Sequence, residues 1–317
     1  MTIFLCKMLN TLKSKDIFFL LFLFLSVFSE SLADNSFDYR QLTDRYNQMS
    51  QSISNIVKDK DGFIWIASRS GISRYDGRNV KHYSLSESEI MQDKDGREVQ
   101  IRKAYNGQLW AFTDSGKIFY YDSFSDSFVF ALQTQTIFIH DLYLDEEGFI
   151  WIASLKGLLK YNSKDTAANP ILTNEDLSIN CIVPFSSALL AIGTTKGVYF
   201  IDKNSGKVDD KAIFDGHNIM SIYKDEKRHY LWAGSFSSGL FVWDLVKKEN
   251  LDLPYINNIP SVPVKAIREW IGNSLLIGLD GRGVYKVDMD AKTSGSYLSN
   301  DDREGSILRA NNACKRY

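Results

Sequence analysis

Hydrophobic and polar positions alternate with a period of two along most of the chain after residue 50. Turn-forming residues interrupt this alternation at short intervals, which is typical of short antiparallel strands. In the first such region the turns are Asp-Gly and Ser-Gly pairs, and glycine suits tight hairpins because it reaches positive φ without a Cβ clash. The pattern there predicts four strands, Ser54–Asp59, Phe63–Ser68, Ile72–Tyr75 and Val80–Ser84.

The same pattern recurs six times, over residues of about 53–84, 98–132, 136–168, 177–208, 218–249 and 263–295. When the units are aligned, one position forms a Trp column at intervals of 40 to 45 residues, with Trp65, Trp110, Trp151, Ala191, Trp232 and Leu276. A second position forms a Gly column: Gly71, Gly116, Gly157, Gly197, Gly239 and Gly283. A third, the Asp column, ends each third strand and is interpreted as a set of turn formers: Asp76, Asp122, Asn162, Asp202, Asp244 and Asp288.

A four-stranded unit of about 40 residues cannot bury both of its faces alone, so neighbouring units must pack against it. Rings of such units are β-propellers, and the sequence therefore predicts an all-β propeller of four-stranded antiparallel blades. The Trp column lies on the second strand, where a large ring fills the wedge between blades. Larger neighbours are expected to compensate at Ala191 and Leu276.

Six blades are predicted to be present, together with the start of a seventh over residues 306–317. The segment Phe37–Leu42 is predicted to be an outer strand that closes the ring. Because a ring without its last blade would expose strand edges, we expect the chain to be part of a longer protein.

The N-terminus resembles an export signal. Lys7, Lys13 and Lys15 precede an apolar run at 17–28, and Ser31-Leu32-Ala33 follows it. The run has 12 residues, whereas a helix that spans a bilayer needs about 20. We therefore expect a signal peptide over residues 1–33, a propeller domain over 34–317 and a periplasmic location. An uncleaved anchor and a buried core segment are the alternatives.

Composition adds little about partners. The formal net charge of −2 over 317 residues gives no basic excess, so no nucleic-acid contact is expected. Cys6 lies in the signal segment, and Cys181 and Cys314 are too few for a disulfide framework. Cys181 is interpreted as a small buried residue on a strand, and no metal or cofactor is expected.

Residues 59–77 and 147–161, with the pattern D-x-x-G-x-[IL]-W-[IV]-[GA]-[TS]-x-x-G, strongly resemble the two-component regulator propeller repeat. The resemblance extends over about residues 37–317, although the fourth and sixth units lack the tryptophan. It implies the periplasmic sensor region of a hybrid two-component histidine kinase of Bacteroidetes type. It further implies an oligosaccharide or other small glycan-derived ligand, the regulation of glycan use, contact with the remainder of a longer chain, and possible homodimers. The kinase domain itself is absent from this sequence.

Motifs that would carry other chemistry are incomplete. His140 precedes an acidic residue, but it lies in a first strand and lacks the flank of a kinase phosphoacceptor. The stretches Asp59-x-Asp61-Gly62 and Asp93-x-Asp95-Gly96 resemble the start of a calcium loop, yet each lacks the glutamate that closes such a loop, so both are interpreted as hairpin turns. No nucleophile elbow, zinc motif or phosphate loop occurs in the sequence, and no enzyme activity is expected.

A sugar site would combine aromatic faces with planar polar groups at one mouth of the ring. The candidates on first strands are Arg102, His140, Lys265 and Arg268, and those near loops are Tyr230, Tyr255 and Trp270. Ordinary strand and interblade packing is the alternative for each of them. For the whole chain, a scaffold that binds another protein and a propeller glycan lyase or hydrolase remain open alternatives.

Overall fold

The computed structural model describes residues 53–83, 85, 98–134, 138–162, 168–173 and 177–298. The predicted signal peptide, the Phe37–Leu42 strand, the Asp93–Gly96 turn and the start of a seventh unit lie outside these residues. Twenty-three strands and one short 3-10 helix, η1 (Pro254–Ile256), make up the described part.

The strands group into six sheets along the chain. The first three blades comprise β1 (Ile53–Lys58), β2 (Ile64–Ser68), β3 (Gly71–Tyr75) and β4 (Val80–Tyr83); β5 (Val99–Lys103), β6 (Leu109–Thr113), β7 (Lys117–Asp122) and β8 (Ser127–Gln133); and β9 (Ile139–Leu144), β10 (Phe149–Ser154), β11 (Gly157–Asn162) and β12 (Ala168–Thr173). The other three comprise β13 (Ile179–Pro184), β14 (Leu189–Thr194) and β15 (Gly197–Asp202); β16 (Ile219–Asp225), β17 (Tyr230–Ser235), β18 (Leu240–Asp244) and β19 (Glu249–Asn250); and β20 (Val264–Trp270), β21 (Ser274–Leu279), β22 (Gly283–Asp288) and β23 (Thr293–Leu298).

Each sheet is an antiparallel meander in which consecutive strands pair. The fourth blade has three strands, and its outer position is taken by residues 208–213 through two isolated bridges, Val198 to Ile213 and Ile201 to Val208. Asp209 and Asp210 lie within this segment, and aspartate is a poor strand former.

The blades form a ring. The first strand of each blade is its inner strand. The inner strands pack against one another from the first blade to the second and from the third to the sixth, and between the second and third blades β6 packs against β9. All six inner strands line a single central cavity. The prediction of an all-β propeller with six blades is therefore confirmed, and the strands of the first blade lie within one residue of the predicted bounds wherever the structure describes them.

The hydrophobic core lies mainly between the blades. Trp65 packs against residues of the second blade, Trp151 against the fourth and Trp232 against the sixth. These three side chains are at most 1% exposed. The tryptophans fill the interblade wedges as expected.

The two departures from the Trp column differ. Ala191 pairs across the strands with Phe200, whose ring lies 4.7 Å from that of Phe185. Two aromatic rings thus occupy the space that a tryptophan fills elsewhere. Leu276 pairs with Arg268 and Lys286, so no aromatic cross-strand partner compensates at that position.

An aspartate fixes two of the buried tryptophans. Trp65 Nε1 donates a hydrogen bond of 2.7 Å to Asp59 Oδ2, and Trp151 Nε1 donates one of 2.8 Å to Asp145 Oδ2. The other oxygen of each carboxylate accepts backbone N–H groups of the following turn. The Asp59 stretch is therefore a hairpin turn, as predicted, and its carboxylate is committed to the turn and the tryptophan.

The Gly and Asp columns are structural. Every glycine of the Gly column has positive φ, between 73° and 122°. A Cβ on Gly197 would lie only 2.8 Å from the Ile213 carbonyl oxygen, so the position also demands close backbone approach. In the Asp column, carboxylates accept N–H groups two and three residues ahead, with Asp76 receiving those of Arg78 and Asn79. Hydrogen bonds of this kind lower the pKa of five members, led in Asp122 by the Ser125 hydroxyl: Asp76, Asp122, Asp202, Asp244 and Asp288.

Candidate functional site: the central cavity

A cavity of about 460 Å³ occupies the axis of the ring. Every inner strand contributes to its wall, so residues far apart in sequence face a common space. Such a volume lies within the range of about 300–1,000 Å³ that small-ligand pockets occupy. The cavity is the candidate site on geometric grounds.

A β-bulge recurs at the start of the inner strands. The pairing register shifts at this point in five of the six, and each shift leaves one residue without a cross-strand partner. Bulges re-aim side chains, and they are frequent beside functional sites. These bulge residues are Ser54, His140, Asn180, Met220 and Lys265, and all except Ser54 line the cavity.

Polar side chains connect the inner strands around the cavity. Asn55 Oδ1 accepts the Ile101 N–H at 2.9 Å, and Ser221 Oγ donates to the Val264 carbonyl at 2.8 Å. Asn180 Nδ2 donates to the carbonyl oxygen of the next inner strand at residue 219, again at 2.8 Å. Together with the contacts of Asp141 and His140 below, these bonds join each described inner strand to its successor from the first blade to the sixth.

Asp141 links three blades. Arg102 of the second blade donates its Nε to Asp141 Oδ1 at 2.7 Å, and the other carboxylate oxygen accepts the Ile182 N–H of the fourth blade at 3.0 Å. Arg102 also donates to the Ile101 carbonyl and to the Gln100 side chain. Its guanidinium is therefore held mainly by the protein, and it shapes the wall.

His140 has a defined tautomer. Its Nδ1 lies 2.8 Å from the carbonyl oxygen of Ile179, and because a carbonyl only accepts, Nδ1 carries the proton. The ring thus ties the third blade to the fourth. The other ring nitrogen, Nε2, is then the acceptor of the neutral imidazole.

The thiol of Cys181 lies in the wall and is buried. Burial, and then the charge of Asp141, raise its pKa to about 12, while a hydrogen bond with the Gly193 backbone and the charges of Arg102 and Arg268 act in the opposite direction. Both arginines also line this cavity. The protonated thiol is unreactive, in agreement with its interpretation as a small buried residue.

Four of the sequence candidates, Arg102, His140, Lys265 and Arg268, are brought together in the cavity wall. The loop candidates are not. The ring of Trp270 lies 6.2 Å from that of Tyr297 at the end of β20. Tyr230 and Tyr255 pack into the hydrophobic cluster around Trp232.

Sequence reasoning missed Asn180, whose bulge position cannot be recognised from the alternation alone, and Asp141, whose partners Arg102 and Ile182 lie on other blades. It also missed a polar cluster between the first two blades. Asp126 accepts hydrogen bonds from Tyr83 and Tyr121 at 2.8 and 2.6 Å and pairs with Arg74 and Lys81. Burial opposes ionisation of Asp126, but the hydrogen bonds outweigh it and hold its pKa well below the usual range.

The fold and the repeated Trp, Gly and Asp columns define a β-propeller. Residues 47–70 match the family described as two component regulator propeller. The chain thus carries a two-component regulator propeller repeat, and the resemblance predicted from the sequence is confirmed. Among curated proteins, no sequence matches the chain significantly.

Solved structures share the fold. The extracellular domain of BT3049 from B. thetaiotaomicron, assigned to a hybrid two component system, superposes with a TM-score of 0.66 at 18% identity, covering 86% of this chain and 38% of that one. The extracellular domain of BT4673 from the same organism gives 0.63 at 20% identity, with 82% and 35% covered. PorZ, a surface component of the type-IX secretion system of Porphyromonas gingivalis, gives 0.57 at 15% identity, with 72% and 37% covered.

The chain therefore spans less than two fifths of the length of each of these structures. At such identities the likeness establishes the fold. Within the described ranges, no helix has the length and apolar character needed to cross a bilayer. No cluster of three or more metal-ligating side chains occurs in that part either.

Proposed function

We propose that this chain is the periplasmic ligand-sensing propeller of a hybrid two-component sensor, and that it recognises oligosaccharides in its central cavity to regulate glycan use. The regulator repeat at residues 47–70 supports this role, as does the fold shared with extracellular domains assigned to hybrid two component systems. The charged and apolar pattern of residues 1–33 supports export.

The observation that carries the proposal is the shared wall of the cavity. A ligand seated there contacts inner strands of several blades at once, and polar side chains already connect those strands. Binding energy is therefore available to change the arrangement of blades relative to one another. That change, or an altered pairing of two chains, is the signal passed to the rest of a longer protein.

The experiment compares purified chain with and without size-separated oligosaccharide pools from plant and host glycans, and it measures the thermal unfolding midpoint. A pool that contains the ligand raises the midpoint. Met220→Trp places a large ring at a bulge position in the wall and abolishes the shift. Val246→Trp, at a side chain that is 71% exposed, is the matched control and retains it.

If no pool raises the midpoint of the folded chain, the sensing role is refuted. If a pool stabilises the wild type and the Met220→Trp variant equally, the ligand binds elsewhere and the cavity is not the site. Circular dichroism of each variant verifies that the propeller is intact.

A protein-binding scaffold is the second candidate, and the fold shared with PorZ, a component of a secretion system, favours it. This role predicts that the chain retains a specific protein from its own envelope fraction with no response to any oligosaccharide pool. A glycan lyase or hydrolase is distinguished in the same titrations, because new reducing ends would accumulate with time in an active pool.

A further inference from the structure

Two bulge residues of the cavity wall, His140 and Asn180, occupy equivalent places in the third and fourth blades. Each of them donates a hydrogen bond to the first residue of the next inner strand. His140 Nδ1 donates to the Ile179 carbonyl at 2.8 Å, and Asn180 Nδ2 donates to the Ile219 carbonyl at 2.8 Å. Because a carbonyl oxygen only accepts, these bonds fix the orientation of both side chains.

This arrangement leaves one acceptor on each side chain. The acceptor of a neutral imidazole whose Nδ1 carries the proton is Nε2, and the acceptor of an amide is its oxygen. Asn180 Nδ2 uses its second hydrogen on Asn218 Oδ1 at 2.8 Å. Within the described part of the chain, His140 Nε2 and Asn180 Oδ1 have no hydrogen-bond partner, and neither atom is sealed in the interior. A molecule in the cavity can therefore reach both acceptors.

The other amide and carboxylate groups of the wall are paired within the protein. Asn55 uses both ends of its amide on the backbone of Ile101. The carboxylates of Asp141 and Glu226 have cationic partners at 2.7 and 2.6 Å. A ligand that carries donor groups thus meets uncommitted acceptors at the bulges of the third and fourth blades.

Two uncharged acceptors suit uncharged donors. A hydroxyl group that bonds to an imidazole nitrogen or an amide oxygen exchanges one hydrogen bond with water for one with the protein. An ammonium group would instead need an anionic partner, because burial of an unpaired charge is unfavourable, and the carboxylates of the wall already have partners.

We propose that His140 Nε2 and Asn180 Oδ1 form an acceptor pair that receives two hydroxyl groups of a sugar in the central cavity. This inference rests on the proposed sensing function and names the residues and the ligand groups that determine its specificity. The same two side chains link the third blade to the fourth and the fourth to the fifth, so a sugar held by them contacts the links between those blades.

The test measures binding to the purified chain by native mass spectrometry and calorimetric titration. The probes are the size-separated oligosaccharide pools and then the saccharide recovered from the bound species. His140→Leu and Asn180→Leu are each expected to weaken binding about fivefold to tenfold, since each removes one hydrogen bond. Asn250→Leu, on the exposed outer strand β19, is the matched control and leaves binding unchanged.

Deoxyfluoro analogues of that saccharide separate a ligand contact from a general loss of blade packing. Fluorine replaces a hydroxyl group at similar size and cannot donate. The analogue that lacks the hydroxyl bound by Asn180 is expected to bind the wild type more weakly than the parent saccharide does. Asn180→Leu is expected to bind this analogue and the parent saccharide equally, which is the coupling of a direct contact.

Protonation isolates the acceptor role of His140. A proton on Nε2 keeps the Nδ1 bond to Ile179 and removes the acceptor, so affinity is expected to fall from pH 8 to pH 5, the range in which histidine commonly gains its proton. His140→Asn is expected to remove this dependence and to retain part of the affinity, because Asn180 supplies both a donor and an acceptor from the equivalent bulge. His82→Asn is the control, since His82 lies on the outer strand β4 and bonds to Ser73, and it keeps the dependence.

Other charged and titratable groups surround His140. On its own and the neighbouring inner strands they are Arg102, Asp141 and Cys181. The fifth and sixth blades contribute Tyr223, Lys224, Glu226, Lys265 and Arg268 to the same wall. The strands β6 and β10 also pack against β9, and their sequences contain no titratable residue. Because His140→Asn replaces none of these groups, its pH profile compared with that of the wild type reports on His140.

Full binding by both leucine variants, with binding abolished in Met220→Trp, overturns the acceptor pair while the sensing function stands. An affinity that depends on pH equally in His140→Asn and in the wild type overturns the role of His140 Nε2. If no pool binds to the folded chain, the sensing function and this inference are overturned together.

Discussion

Replacing Asp145 with alanine is expected to destabilise the propeller strongly. The carboxylate is 2% exposed and accepts three hydrogen bonds, from the Glu147 N–H at 3.1 Å, the Phe149 N–H at 2.8 Å and Trp151 Nε1 at 2.8 Å. Truncation removes a single acceptor group that serves three donors, one of which is the indole of a fully buried side chain.

The expected loss follows from the fate of each donor. The Glu147 N–H lies in a turn, where water replaces the carboxylate. The Trp151 indole cannot reach water, and a hydrogen bond to a charged group contributes about 1.5–3 kcal/mol, with about 1 kcal/mol more for the half-buried Phe149 amide. Asp145→Ala is therefore expected to lower the free energy of unfolding by about 2.5–4 kcal/mol.

Urea unfolding followed by tryptophan fluorescence and circular dichroism measures this loss. A double-mutant cycle with Trp151→Phe isolates the indole contact, because the cost of the smaller ring cancels between the two sides of the cycle. A coupling of about 1.5–3 kcal/mol is expected. A coupling indistinguishable from zero would refute the interpretation of the aspartate and tryptophan as one hydrogen-bonded unit.

The second blade offers the reverse experiment. Ala104 occupies the position six residues before Trp110, and Trp110 Nε1 is buried with no hydrogen-bond partner among the residues that the structure describes. The turn residues Asn106 and Gln108 are spaced like those that donate to Asp145. Ala104→Asp is expected to raise the free energy of unfolding by about 1 kcal/mol, an effect that Trp110→Phe should remove.

Three further changes test the interpretation of the columns and the wall. Gly197→Ala is expected to lower the free energy of unfolding in urea by about 2–4 kcal/mol, because φ is +121° and the new Cβ would lie 2.8 Å from a backbone oxygen. Gly77→Ala has open space around its Cβ and should lower it by only about 1 kcal/mol. Arg102→Gln breaks the contact between Arg102 and Asp141 that joins the second and third blades, and it should lower the free energy of unfolding by about 1.5–3 kcal/mol in the same measurement. An unchanged urea midpoint would show that this ion pair does not contribute to stability. The turn aspartates have a lowered pKa, so their stabilisation of the fold is complete above the ordinary pKa of 3.8 and is lost as the pH falls below it. Asp202→Asn should therefore flatten the decline of the urea unfolding midpoint between pH 5 and pH 2.5. An unaltered decline would contradict this assignment.

The blade architecture was predictable because each strand satisfies a local rule. The alternation of apolar and polar residues predicts which side chains lie on each face of a strand, and the Gly column marks hairpins that require positive φ. The wedge role of Trp65 followed from its size and its position in the repeat. Ala191 could be anticipated as a gap needing larger neighbours, but only the structure identifies Phe200 and Phe185 as the side chains that fill it.

The cavity was less predictable. Arg102 and Arg268 were recognisable as polar residues on inner strands, since they interrupt otherwise apolar positions. The bulges were not recognisable from the sequence. An inserted residue reverses the face of the sheet on which each later side chain of the strand lies, and it does so without changing the composition. Trp270, a candidate near a loop, lies at the end of β20 beside Tyr297, and it is not among the residues that line the cavity.

The bulge positions differ from the repeat columns in one informative way. The Gly column is constant in all six blades, and its members have positive φ, which glycine adopts most easily, while the Asp column varies only between aspartate and asparagine. The bulge residues are instead serine, histidine, asparagine, methionine and lysine, although they occupy equivalent places in the fold. A position that packing leaves free to vary from blade to blade is available for a different constraint, and four of these five residues line the same cavity. Ligand selection in the central cavity is a constraint of this kind, because an asymmetric ligand needs a different group from each blade of a symmetric ring.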